Sequence, residues 1–279
     1  MSVQLIIRDG SPYWYLSPDI WVVPGNDPTA PPGSPIAGQP AYLWAHVSNN
    51  GSTDASGVRV DFYWANPALQ VLRSTANFVG SAFADVPAGG GQDVLCLTAW
   101  HPVIVNGGHE CLVAVANHPA DPLPDPPPDD FNPPAYPQVA QKNLTVYAAS
   151  QHSAPAPLMV SGWQRADKAV EVVAEVGGEL DDLSLARLGL RGRHPAKEKV
   201  VEVGLDYQPR CVGDTDRLGP SRLAVKVPRG TSSAVYASIR ARKLGTDEYQ
   251  LVRFVEKVND KVLGGLAFVV VSGGKEVAS

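Results

Sequence analysis

AYLWAHVSNNGSTDASGVRVDFYW, residues 41–64, decides how the chain is read. In VRVDFYW (58–64), Val58, Val60, Phe62 and Trp64 fall on one parity, and Arg59, Asp61 and Tyr63 on the other. That period of two is a strand with one buried face. AYLWAHV (41–47) alternates in the same way, with Leu43, Ala45 and Val47 as its inward face. Between the two runs, SNNGSTDASG (48–57) is dense in the small and polar residues that make turns.

Working outward, further short apolar runs are separated by turn residues. Upstream lie VQLII (3–7), YWYL (13–16) and IWVV (20–23), followed by a Pro/Gly-rich loop, 24–40. Downstream, 78–86 reads as a strand before the turn PAGGG (87–91). DVLCLTAW (93–100) and ECLVAVA (110–116) are apolar enough for central strands, and QKNLTVYA (141–148) reads as a closing edge strand. This density of short strands predicts an immunoglobulin-like β-sandwich over 1–149. Nine of the twenty residues in 118–137 are proline, which fixes φ and lacks an N–H. That segment is expected to be an extended, solvated insert of the first domain; the alternative is that it links the two halves.

The second half repeats the pattern with fewer aromatics. Strands are predicted at 158–163, 169–176, 199–207, 222–227, 234–242, 249–258 and 262–271, with a short helix possible in 179–192. Gly264–Gly265 and 229–234 read as bulge or turn chemistry. The expected fold is all-β, two tandem sandwiches: residues 1–149 with the 118–137 insert, and residues 150–279.

The motifs of 18–146 resemble bacterial immunoglobulin-like domains of the cell-adhesion-related (CARDB-like) type. The residues that carry the resemblance are Pro18–Asp19–Ile20, Val47–Ser48–Asn49–Asn50–Gly51, Ala55–Ser56–Gly57 and Phe62–Tyr63–Trp64, with PAGGGQDV (87–94), GGHECLVAVA (107–116) and PQVAQKNLTV (137–146) for the later strands. The proline-rich insert departs from the compact pattern of that family. The resemblance covers the first half of the chain and implies a spacer, adhesion or assembly module without a shared catalytic site. A fold does not fix a function.

Composition narrows the function classes. Net charge is −5, with no basic surplus, so nucleic acid is not an expected partner. Residues 1–149 carry four Lys/Arg against twelve Asp/Glu, a net of −8, and residues 150–279 carry nineteen against sixteen, a net of +3. The split would favour head-to-tail stacking of identical chains, or reflects two differently solvated surfaces. Three cysteines, Cys96, Cys111 and Cys211, make no disulfide framework. No stretch reaches membrane-spanning length. The N-terminus has no signal-peptide pattern, so the expected location is the cytoplasm or a particle assembled there.

Candidate chemistry is sparse. His101, His109 and His118 sit near predicted strand ends and could be imagined around a metal, but their spacing matches no metal signature. Asp121, Asp125, Asp129 and Asp130 lack the spacing of a calcium loop and read as solvation of the proline-rich segment. No GxSxG, HExxH, P-loop or GxGxxG occurs. The chain therefore reads as non-enzymatic, with no cofactor.

The aromatics say more. If Leu43, Ala45 and Val47 point inward, then Tyr42, Trp44 and His46 form an outward aromatic face. It is either covered by the chain itself, with Tyr13 and Trp14 as the candidate cover, or kept for a protein partner, or used as a sugar-stacking platform. The leading expectation is a structural or interaction building block of a larger bacterial or phage-like assembly, through a protein partner or self-association. A carbohydrate-binding protein is the alternative, and a metal-dependent hydrolase the third reading.

Overall fold

The computed structural model describes residues 2–103, 110–148, 155–210, 216–241 and 244–272. His109, Cys211 and residues 150–154 lie outside the described residues. The chain clusters into two compact units. The first is Met1–Asn66, Val71–Asn143 and Ala186–Leu190; the second is Pro67–Gln70, Leu144–Leu185 and Arg191–Ser279. Both are all-β, as the alternation predicts.

The first unit is a sandwich of two sheets. In one sheet, β1 (Leu5–Ile6) and β2 (Ile20–Pro24) pair with one edge of β3 (Ala41–Asn49). The other edge of β3 takes β6 (Gly91–Leu95). The second sheet has the order β5–β4–β7–β8, with β4 Ala55–Ala65, β5 Asn77–Val86, β7 Cys111–Asn117 and β8 Val139–Lys142. Leu43, Ala45 and Val47 of β3 pack with Val58, Val60 and Phe62 of β4 and with Leu112, Ala114 and Ala116 of β7. Trp64 packs at the margin of this core, half-buried. The inward faces expected from the period of two are the faces buried.

β7 is buried on both sides. Its opposite parity, Cys111, Val113 and Val115, packs with Phe131, Val71 and Val139, and with Tyr63, Leu123 and Tyr136. The proline-rich segment therefore covers the outer face of this sheet instead of extending into solvent. Its anchors are a bridge between Leu72 and Asp130, the Arg73 N–H donating to the Asp129 carbonyl at 2.6 Å, and the Arg73 guanidinium 4.3 Å from the Phe131 ring centroid. Proline rules out a ladder, but it does not prevent a fixed chain from carrying one aromatic anchor into a hydrophobic face.

Other expectations need correction. YWYL (13–16) is a turn, closed by the Leu16 N–H on the Tyr13 carbonyl at 2.8 Å. DVLCLTAW is not a central strand: β6 ends at Leu95 and pairs only with β3 among the described residues. QKNLTVYA is not one closing strand. Lys142 ends β8, and Leu144–Ala148 forms β9, which pairs in parallel with β17 (Lys261–Val271) of the second unit.

The second unit has a three-stranded sheet, β10 (Ala156–Ser161), β15 (Ser232–Ala241) and β13 (Val201–Asp206), in that order. It faces a longer one, ordered β14–β11–β16–β17–β9, where β11 is Lys168–Val176, β14 Arg222–Val227 and β16 Glu248–Val258. β12 (His194–Pro195) lies parallel to the start of β16. Val160, Leu158, Val172, Val225, Val235, Phe254 and Phe268 form the core between the sheets. β16 and β17 turn on Asn259 and Asp260, both with positive φ, as a tight hairpin of this hand requires. The short helix α1 (Asp182–Arg187) starts where Asp181 accepts the Ser184 N–H at 2.7 Å.

Candidate interaction face

The face of β3 turned away from the core carries Tyr42, Trp44 and His46, each half-buried. Strand register puts Trp44 opposite Trp21 of β2 on one side and Leu95 of β6 on the other. The two indoles stack, with ring centroids 5.7 Å apart and planes 12° apart. Trp44 Nε1 donates to the Pro28 carbonyl at 3.0 Å, so its polar edge is satisfied by the Pro/Gly-rich loop. The Arg187 guanidinium lies 4.0 Å from the Trp21 ring centroid. Part of the cover of this face thus comes from Trp21, the 24–40 loop and Arg187. Tyr13 and Trp14 sit half-buried in the 10–16 turn, where Trp14 meets Tyr15 edge-on.

An ion cluster fixes this end of the sheet. Asp19 is fully buried and accepts from Arg8 Nη2 at 2.6 Å and Nε at 2.8 Å. Arg187 Nη1 lies 3.2 Å from Asp19 and also donates to the Pro18 carbonyl. Burial works to raise the Asp19 carboxyl, but the hydrogen bonds and charge of Arg8, then the charge of Arg187, outweigh it and hold it below the ordinary carboxylate range. His46 Nδ1 meets Asp93 Oδ1 at 2.7 Å across the β3–β6 pair.

Beside β6 the surface opens. β5 and β6 each have an edge that pairs with no strand among the described residues. A groove between them is lined by Phe83, Asp85, Gln92, Asp93, Leu95 and Leu97. Phe83 is 70% exposed and Leu97 77%, and the two line one groove, so they form a patch and are not scattered surface residues. Sequence reading missed this pair. For Phe83 the available signal was NFVGSAFADV (77–86): Phe78 and Phe83 fall on opposite parities, so strict alternation turns one of them outward, and the register shift opposite Phe62 and Tyr63 leaves both exposed.

The other candidates are dispersed. His101 is exposed. His118 accepts the Ala120 N–H at 3.1 Å through Nδ1. Among the described residues no group of three His, Cys, Asp or Glu could hold a metal ion. Asp121 accepts the Leu5 N–H at 2.8 Å, and Asp129 accepts from Ser74 N and Oγ, so these acids tie chain segments together. Cys96 and Cys111 are buried free thiols. No helix among the described residues is long and apolar enough to cross a membrane.

No protein-family model matches the chain, and no curated protein matches it. Among solved structures, a transglutaminase from red sea bream is 12% identical, with a TM-score of 0.26. That match covers 99% of this chain and 32% of the transglutaminase, so the chain spans about a third of that protein's length. The CupB6 tip adhesin from Pseudomonas aeruginosa is 10% identical with a TM-score of 0.21, covering 99% of this chain and 98% of the adhesin. These scores are too low for either likeness to carry an argument about fold or activity.

Proposed function

We propose that this chain is a non-enzymatic structural and interaction protein, a building block of a larger bacterial or phage-like assembly. One observation carries the reading. Phe83 and Leu97 stand exposed beside an open groove at two strand edges that are unpaired among the described residues. Unpaired edges are templates for another strand, and exposed aromatic and aliphatic anchors supply the buried area that association needs. Asp85 and Asp93 give the groove an acidic rim. That rim suits a partner strand with apolar and basic residues, and charge there would steer encounter more than it adds affinity. The resemblance of 18–146 to cell-adhesion-related immunoglobulin-like modules belongs to the same proposal.

The test is sedimentation velocity over a range of protein concentrations at low salt, with wild type and the Phe83→Ser/Leu97→Ser variant. Association that the double substitution removes is the expected result. A wild type that stays monomeric at high concentration removes self-association and leaves only a different protein as partner.

A carbohydrate-binding reading has one observation behind it. Trp163 and Tyr207 of the second unit are exposed aromatics. A glycan array with uniformly negative binding removes that reading.

A further inference from the structure

Three polar side chains converge inside the second unit. Lys168 opens β11 and is 1% exposed; Glu256, on β16, is 0% exposed. Lys168 Nζ lies 2.6 Å from Glu256 Oε1, 2.7 Å from the Ser161 carbonyl oxygen and 3.2 Å from Gln70 Oε1. Glu256 Oε2 has no hydrogen-bond partner among the described residues.

Gln70 is delivered by a short segment, Pro67–Gln70, that belongs to this unit. The segment is clamped on both sides. The Leu69 N–H donates to the Met159 carbonyl at 2.9 Å, and the Met159 N–H donates to the Pro67 carbonyl at 3.1 Å. The Leu69 side chain is wholly buried in the core. The Leu69 carbonyl lies so close to Gly264 that a Cβ there would stand 1.8 Å from it. Gln70 is therefore held beside Lys168 by backbone packing, and its carboxamide does not have to search for the amine.

A buried ammonium–carboxylate pair is costly, and its neutral form, amine and carboxylic acid, avoids that cost. Burial pushes the Glu256 carboxyl up, and Lys168 only partly opposes the shift. Passing one proton from Lys168 to Glu256 across their 2.6 Å contact leaves a primary amine against a carboxamide, with an acid at the same nitrogen. Those are the reactants and the proton carrier of a transamidation. Fixed proximity supplies what such a slow reaction lacks in water.

We propose that Lys168 and Gln70 become joined by an intramolecular amide bond, with Glu256 as the proton carrier. The Lys168 nitrogen lone pair attacks Cδ of Gln70, and the carbonyl π pair moves onto Oε1. Glu256 gives its proton to the departing Nε2, and the carboxylate so formed takes one from the attacking nitrogen. The Cδ–Nε2 bond breaks as the carbonyl reforms, and ammonia leaves. No oxidant, reductant or co-reactant is consumed, and Glu256 ends protonated as it began. The product ties Gln70 to Lys168, 98 positions later in the chain. Closing so long a loop covalently restricts the unfolded chain and stabilises the unit.

The test is intact mass measurement and peptide mapping of the full-length chain purified under native conditions. The expected protein is lighter by one ammonia, and its digest contains a branched peptide joining Lys168 to Gln70. Cyclisation at Asn50–Gly51 or Asn106–Gly107 would lose the same mass. A deficit that maps only there, or linear peptides carrying unmodified Lys168 and Gln70, overturns the proposal. In Glu256→Gln the branched peptide should be absent; if it forms there, Glu256 is not the proton carrier. Should that variant fail to fold, the wild-type map alone still decides whether the bond exists.

Discussion

Trp21 and Trp44 stack across the β2–β3 pair, and the Arg187 guanidinium caps the Trp21 ring on the same sheet. Arg187 also reaches Asp19, 168 positions away in sequence. The outward aromatic face of β3 is therefore partly structural. Removing the Trp44 ring should cost stability, though less than emptying the core, because Trp44 is only half-buried. Trp44→Ala should lower the unfolding free energy by about 2 kcal/mol, against about 3–5 kcal/mol for Phe62→Ala. Urea titration followed by circular dichroism measures both. Equal losses would place Trp44 in the core proper.

Asp19 makes stability depend on acid. Its folded carboxyl is held below the ordinary range because Arg8 and Arg187 outweigh its burial. The stability it contributes is thus present above the unfolded carboxylate pKa and is lost as pH falls through the folded one. Wild type should lose stability below about pH 4 more steeply than Asp19→Asn. At neutral pH the variant should be weaker by about 2 kcal/mol, the order expected for hydrogen bonds to a charged group. Thermal midpoints across pH 3–7 (a range of about four units around the carboxylate pKa) test both statements. Parallel pH profiles would contradict them.

Glu110 has the opposite sign. Burial pushes its carboxyl up to about 7, although it accepts the Val103 N–H at 2.9 Å. A raised folded pKa favours the folded state below the unfolded pKa, and that contribution disappears as pH rises through about 7. Glu110→Gln removes the charge and should raise the thermal midpoint at about pH 8 while changing little at about pH 4, on either side of the titration. A variant less stable than wild type at the higher pH would show that the charged carboxylate is favoured in the folded chain.

Gly264 should tolerate no side chain. A Cβ would meet the Leu69 carbonyl oxygen at 1.8 Å, and both groups are backbone or bonded directly to it. Gly264→Ala should therefore displace the 67–70 segment and destabilise by more than about 3 kcal/mol. Gly33→Ala is the matched control. Among the described residues, the only neighbours a Cβ would meet there are Pro24 ring atoms at 3.7 and 3.9 Å, so its effect should stay within about 0.5 kcal/mol. Denaturant midpoints of the two variants give the comparison.

The period of two in 41–47 and 58–64 was enough to assign the buried faces, because a strand's sides are set by local geometry. The all-β class, the helix at 182–187 and the bulge near Gly264 were legible for the same local reason. What covers or pairs with each face was not. Trp44 is met by a cross-strand indole that is itself capped by a distant arginine. The proline-rich segment is held by Phe131, with Leu123 and Tyr136 packed beside it, side chains that no periodicity marks out. QKNLTVYA gave no sign that Asn143 separates strands pairing with different sheets. Lys168, Gln70 and Glu256 lie far apart in a sequence where each looks like an ordinary polar residue. Only non-local packing brought the half-buried Gln70 to the buried Lys168–Glu256 pair, since strand pairing selects partners by shape and register across the whole chain.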